Sequence, residues 1–313
     1  MPPHAVLPTG SAHAKAILVG EHAAVYGHPA IALPITPLRT VAEVHHCPGP
    51  LRLSTGDASL PVTELPQRFA SVGVAAVESL TFFGLPAEDV EIVVRSGIPP
   101  QAGLGASAAA ANAIVEAVRA YAGVALNDAS RFALVQTAER VAHGNPSGID
   151  AHATRAREPL LFADHVATPL TLGAPVCFVV ADTGVRASTD DAVAGVRQIV
   201  DADPALGRSL LARLGDLTRA AVLDLEQAHL TAFGRRLTEA QDALTDLGVG
   251  HPAIDRLVTA ALDAGAAGAK LTGAGRGGCV IAVTPDAASG QVVQSAMTAA
   301  GAVAGWIVTL GAT

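Results

Sequence analysis

The chain has 313 residues, half of them apolar and 15% charged, which is ample material for two packed domains and far from a disordered composition. A formal net charge of −8 excludes a nucleic-acid partner that relies on a broad basic face, although a local pocket on an acidic protein can still be positive. No apolar run reaches the roughly 18 residues of a membrane span without Gly, Pro or charge, and the N-terminus lacks a basic stretch followed by an apolar one. The expectation is a cytoplasmic protein with no membrane partner. Its three cysteines, Cys47, Cys177 and Cys279, fit no zinc or redox spacing and read as reduced thiols.

In chain order, residues 16–19 read as a strand opened by Lys15, followed by a polar loop (20–29) and a second apolar run (30–35). Residues 38–60 read as short strands and turns, 67–82 as a helix and 90–95 as a strand. A Pro- and Gly-rich loop then leads into an Ala-rich helix that stops at Gly123, a C-cap glycine. A second helix starts near Asp128 or Ser130, both good N-caps, and ends at Gly144. Residues 176–181 form a buried type of strand. Residues 188–265 are helical, with breaks expected at Gly215, Gly234 and Gly248–Pro252. A second glycine-rich loop (270–278) precedes strands at 279–283 and 306–310. A composition shift near 165–175 divides the chain into domains 1–170 and 171–313.

Four segments carry residues with chemistry. The first, Pro100 to Ser107, is a glycine loop before a helix, where free N–H groups and the positive dipole end favour an anion. Read alone, it is either that or an ordinary loop capped by Ser107. It is no Walker A motif, because no Lys-Ser or Lys-Thr pair follows its glycines, and it matches the dinucleotide fingerprint only in part. The second segment pairs Glu139, on a helix, with Asp150 at the end of the following loop. A helical carboxylate and a hydroxyl such as Ser107 suit Mg²⁺, and a loop Asp suits proton abstraction; each acid taken alone is equally a solvated charge. The third contains Lys15, Glu21 and His22. Of 20 Lys and Arg residues only two are lysines, Lys15 and Lys270. The fourth, residues 270–279, mimics a protein-kinase glycine loop, but no Lys follows and no His-Arg-Asp or Asp-Phe-Gly triplet exists.

Together these segments resemble the GHMP kinase superfamily and, within it, the mevalonate kinase family. The central motif stands as Pro99-Pro100-Gln101-Ala102-Gly103-Leu104-Gly105-Ala106-Ser107-Ala108, with Ala106 replacing the first of the paired serines. The C-terminal motif is matched by Lys270 to Gly278. The N-terminal one is matched by Lys15, Gly20, Glu21, His22, Val25 and Gly27. Glu139 and the loop His143-Gly144-Asn145-Pro146-Ser147-Gly148-Ile149-Asp150 are the discriminating match.

The resemblance implies an α+β fold, with a domain like domain 2 of ribosomal protein S5 followed by a ferredoxin-like domain. It implies ATP and mevalonate as substrates, with Mg²⁺ held by Ser107 and Glu139. Asp150 and Lys15 are then catalytic, and the phosphates lie on Gly103, Leu104, Gly105, Ala106, Ser107 and Ala108. Glu21, His22 and Thr189 face the substrate, and a loop of Gly273, Ala274, Gly275 and Gly277 closes nearby. A homodimer is compatible with this reading. Another kinase of the superfamily, acting on phosphomevalonate or homoserine, and a non-catalytic ATP or metabolite sensor remain as alternatives.

Overall fold

The computed structural model describes residues 7–56, 58–144 and 146–311. The elements, in order, are β1 (Thr9–Val19), β2 (Ala30–Pro50), β3 (Arg52–Thr55), β4 (Ala58–Pro61), α1 (Ala70–Phe82), β5 (Glu88–Ser96), α2 (Ala106–Ala122), α3 (Asp128–His143), α4 (Ile149–Ala153), β6 (Leu160–Ala163), β7 (Val166–Pro169), β8 (Val176–Asp182), α5 (Thr189–Ala202), α6 (Pro204–Glu226), α7 (Leu230–Asp246), α8 (Pro252–Asp263), β9 (Gly268–Thr272), β10 (Cys279–Thr284), α9 (Ala287–Ala299) and β11 (Ala304–Leu310). No helix among the described residues is long and apolar enough to cross a membrane.

By contacts the chain forms two compact units, each assembled from separate stretches. One holds residues up to 14, 38–99 and 105–155; the other holds 15–37, 100–104 and the chain from 156 onward. In the first unit β5 lies between β3, to which it is parallel, and β2, to which it is antiparallel. Helices α1, α2 and α3 pack against one another beside this sheet. Their shared core joins Val44, Leu53, Ile92 and Leu80 to the alanines of α2 and to Val135 and Ala138 of α3. Small side chains let α2 run close to its neighbours: a Cβ added at Gly10 would lie 2.1 Å from the Ala113 carbonyl oxygen.

The second unit contains a four-stranded antiparallel sheet in the order β11-β8-β10-β9. Taken with the chain order β8, helices, β9, β10, α9, β11, this is the ferredoxin-like arrangement expected from the resemblance. Strands β8, β9 and β10 are buried at every residue, as strands covered on both faces must be. Cys177 and Cys279 lie in β8 and β10, fully buried and unbridged. The β6–β7 hairpin pairs with the first residues of β2 in the same unit.

Three local expectations are corrected. Residues 38–50 continue β2 rather than forming short strands. Alternate positions from Leu38 to Val44 are buried, and the register shifts only between His46 and Pro50, around Pro48 and Gly49. Asn127, not Asp128 or Ser130, caps α3, its side chain accepting from the Ser130 N–H at 2.8 Å. Gly215 and Gly234 do not break helices but lie inside α6 and α7. A Cβ at Gly215 would meet His28 Nδ1 at 2.5 Å, and one at Gly234 would meet the Ala267 oxygen at 2.1 Å. Both glycines serve close packing. The real break at 203–204 is set by Asp203, which caps α6 ahead of Pro204.

Candidate active site

In the first unit, α2 begins at Ala106 and its N-cap is Gly105, at φ 71° and ψ 33°, with no side-chain capping bond. Only glycine takes that left-handed backbone without strain. The first N–H groups of a helix have no partner within it, so this uncapped end presents free donors and the positive end of the dipole. Ser107 is therefore the second residue of the helix and not its cap.

The oxygens expected to hold metal are brought together by α2 and α3. Glu139 is buried, and His143 follows it by one turn on α3. His143 Nε2 lies 3.4 Å from Ser107 Oγ and 4.0 Å from Glu139 Oε2. A hydroxyl and a carboxylate thus converge on one ring edge. Among the described residues no group of three or more His, Cys, Asp or Glu side chains could cage a metal. Two hard oxygens without a full cage suit Mg²⁺, which keeps its waters and takes its remaining ligands from phosphate. Asp150 sits half-buried in the five-residue α4, behind Gly148. Asn145 of the preceding loop lies outside the described residues.

In the second unit Lys15 is buried in mid-strand, because β1 starts earlier than its apolar run suggested. Its backbone N–H donates to the Leu104 carbonyl at 3.0 Å, tying β1 to the first glycine loop. The Ile17 N–H donates to Thr272 Oγ1, and that hydroxyl donates back to the Ile17 carbonyl, each at 2.9 Å. The two glycine loops meet closely: a Cβ on Gly273 would stand 3.3 Å from Gly103 Cα.

The turn after β1 is fastened to the same region. Lys270 Nζ donates to Glu21 Oε1 and to the Leu271 carbonyl, and both side chains of the ion pair are buried. Burial pushes the Glu21 carboxyl up and the Lys270 ammonium down, while each charge pulls the other back. His22 Nε2 contacts the Ala274 carbonyl at 2.9 Å. A carbonyl only accepts, so Nε2 carries the proton, and burial holds His22 below the usual histidine range. In the neutral ring Nδ1 is then an acceptor.

Thr189 is exposed and opens α5, which Ser188 caps. Arg186 is held by Asp182 in a two-point pair, at 2.7 Å for each bond.

Two participants went unassigned in the sequence pattern. Lys270 was visible as one of two lysines but had no partner until the fold supplied Glu21. His143 was visible only through its four-residue spacing from Glu139.

Comparison with known proteins identifies the lineage. The GHMP kinases N terminal domain matches residues 71–155, and the GHMP kinases C terminal domain matches 221–303. A mevalonate kinase of Aeropyrum pernix is 35% identical over 284 residues, covering 87% of this chain and 86% of that protein. The chain belongs to the mevalonate kinase family of GHMP kinases. Among solved structures, a mevalonate kinase from L. major in complex with R-mevalonate shares the fold, with a TM-score of 0.84 at 23% identity, covering 96% of this chain and 95% of that one. A Streptococcus pneumoniae phosphomevalonate kinase in complex with phosphomevalonate and AMPPNP also shares it, with a TM-score of 0.81 at 18% identity, covering 96% and 99%. Fold alone does not distinguish these two kinase families; the sequence relationship does.

Breaking the buried pair strands a charge. Lys270→Met is expected to lose about 3–5 kcal/mol, whereas Lys270→Met combined with Glu21→Leu loses much less. Urea unfolding of both variants checks this; equal losses would show that the pair is not an energetic unit.

Proposed function

We propose that this chain transfers the γ-phosphoryl group of ATP to the 5-hydroxyl of mevalonate, giving 5-phosphomevalonate and ADP, as a cytoplasmic step of isoprenoid precursor synthesis. The observation that carries this reading is 35% identity to a mevalonate kinase along nearly the whole chain. Lys15, Glu139 and Asp150 are all present, which argues against a non-catalytic sensor.

The chemistry follows from the residues present. N–H groups of the Gly103–Ala108 segment bind phosphate oxygens at the open end of α2. Ser107 and Glu139 are the oxygens that would hold Mg²⁺ beside them. When bound, that ion neutralises charge on the β- and γ-phosphates. Asp150 takes the proton of the attacking hydroxyl, and Lys15 offsets the charge of the reacting oxygens. ADP leaves with the electron pair of the broken P–O bond. The acceptor nitrogen of His22 suits a substrate hydroxyl, and Thr189 adds a polar contact. Glu21 holds the turn that carries His22. The loop of Gly273, Ala274, Gly275 and Gly277 closes against the first glycine loop.

Phosphomevalonate as acceptor would call for cations around a second phosphate. Arg186, the cation best placed in sequence for that task, already spends its fork on buried Asp182. This favours mevalonate.

Four measurements test the reading. Asp150→Asn keeps shape and hydrogen bonding but removes the base; turnover is expected to fall roughly 10²–10⁴-fold with ATP affinity nearly unchanged. A variant that kept most of its turnover would leave Asp150 a structural residue. Glu139→Gln is expected to shift Mg²⁺ binding, followed by calorimetry with ADP present, to higher concentration; a titration matching wild type would remove Glu139 from the metal site. Finally, the purified protein is expected to consume ATP with mevalonate and not with phosphomevalonate or homoserine. His22→Ala should raise KM for mevalonate more than KM for ATP. Turnover of either other alcohol without mevalonate turnover would overturn the substrate while leaving the kinase.

A further inference from the structure

Helix α4, which carries Asp150, is only five residues long. A helix this short does not hold itself, because nucleation is costly and its last carbonyls have no partner within it. The surrounding chain supplies those partners. Thr154 donates to the Asp150 carbonyl through its backbone N–H at 3.1 Å and through Oγ1 at 2.9 Å. Asn112 Nδ2 donates to the Ala151 carbonyl at 3.0 Å and to Thr154 Oγ1 at 2.9 Å. The Thr154 carbonyl accepts from the His13 N–H at 3.0 Å. Phe132 stacks on His152 with centroids 4.5 Å apart.

Asn112 is out of character with its surroundings. It lies on the buried face of α2 between Ala111 and Ala113 and is 1% exposed. A buried amide there is unfavourable unless its groups are bonded, and its Oδ1 has no partner among the described residues. Apolar packing alone would place alanine at this position. The bonds it does make are directional. The Ala151 carbonyl can only accept, so Nδ2 must face it; the Thr154 hydroxyl then accepts from Nδ2 and gives its own proton to the Asp150 carbonyl. Asn112 also stands five residues beyond Ser107 on the same rigid helix, whose open end is the phosphate-binding turn.

We propose that Asn112 is a positioning residue: through Ala151 and Thr154 it fixes the α4 turn, and with it Asp150, relative to the phosphate-binding end of α2. This rests on the reading of Asp150 as the base. A displaced base loses rate without losing nucleotide affinity, and misplacement by about 1 Å costs roughly 10²-fold.

The test uses Asn112→Ala, Thr154→Val, Thr154→Ser and Asp150→Asn, and Asn112→Ala combined with Asp150→Asn. Asn112→Ala and Thr154→Val should each lower kcat by about 10–100-fold, with KM for ATP changed by less than about twofold. Thr154→Ser, which restores the hydroxyl, should recover most of what Thr154→Val loses. In the Asp150→Asn background Asn112→Ala should cost nothing further, which a general structural role would not produce. Amide hydrogen exchange should quicken at 149–154 in both single variants and stay slow along α2. An unchanged kcat in Asn112→Ala, or an equal loss in the Asp150→Asn background, overturns the proposal. Should Asn112→Ala fail to fold, the nearly isosteric Thr154→Val decides by the same criteria. If Asp150→Asn keeps its turnover, the base reading falls, and exchange at 149–154 decides the clamp on its own: unaltered exchange overturns it.

Discussion

The structure turns on one helix that must be buried along its length and open at its end. Helix α2 keeps its first N–H groups free by starting from a left-handed glycine with no side-chain cap. An uncapped end is unfavourable unless something else meets those donors, so the helix must be stabilised elsewhere. Its run of alanines does this. Ala108, Ala109, Ala111 and Ala113 combine the best intrinsic helix propensity with side chains small enough for close neighbours. The same thinness brings α3 near enough for Glu139 and His143 to share a site with Ser107, and α4 near enough for Asn112 to reach it. The chemistry expected of this unit is thus arranged by the choice of small residues along one helix.

The second unit solves a different problem. Its two glycine loops must expose backbone, and exposed backbone is loose. Here the loops are fastened by groups just outside them. Thr272 bonds both backbone groups of Ile17, His22 grips the Ala274 carbonyl, and Lys270 joins Glu21 across the same connection. The ion pair contributes little net stability against an apolar substitute, since both charges give up water to form it. Its value lies in direction: a carboxylate and an ammonium that must meet fix the path of the 20–22 turn more narrowly than packing would.

Much of this was legible in the sequence, and the exceptions share a cause. Motif order revealed the family, apolar runs revealed β8 and β10, alanine-rich composition revealed α2 and helical periodicity revealed α3, because those signals are local. Gly215 and Gly234 misled because a glycine that breaks a helix and one that lets a neighbour approach look alike until the neighbour, His28 or Ala267, is known. Residues 38–50 misled because their prolines suggested turns, whereas the ladder tolerates the interruption by shifting register beyond His46. Asn112 carried no signal beyond being polar among alanines. Its meaning lies in Ala151 and Thr154, about forty residues away, and no local pattern encodes that distance.

The common fold of mevalonate and phosphomevalonate kinases sharpens the question of where acceptor choice resides. Parts that handle ATP need not differ, since the transferring phosphoryl group is the same in both reactions. The difference must lie where the acceptor's far end rests, and there charge accounting is decisive. A phosphorylated acceptor brings a second, more highly charged anion that requires uncommitted cations; mevalonate brings one carboxylate. In this chain the DTGVR segment offers Arg186, but the guanidinium is bound at two points by a carboxylate that is itself 1% exposed and also accepts from the Gly184 N–H. Freeing that arginine would leave Asp182 as a buried charge without its counterion, which is more costly than losing a surface pair. The segment is therefore set by its own ion pair to keep its cation.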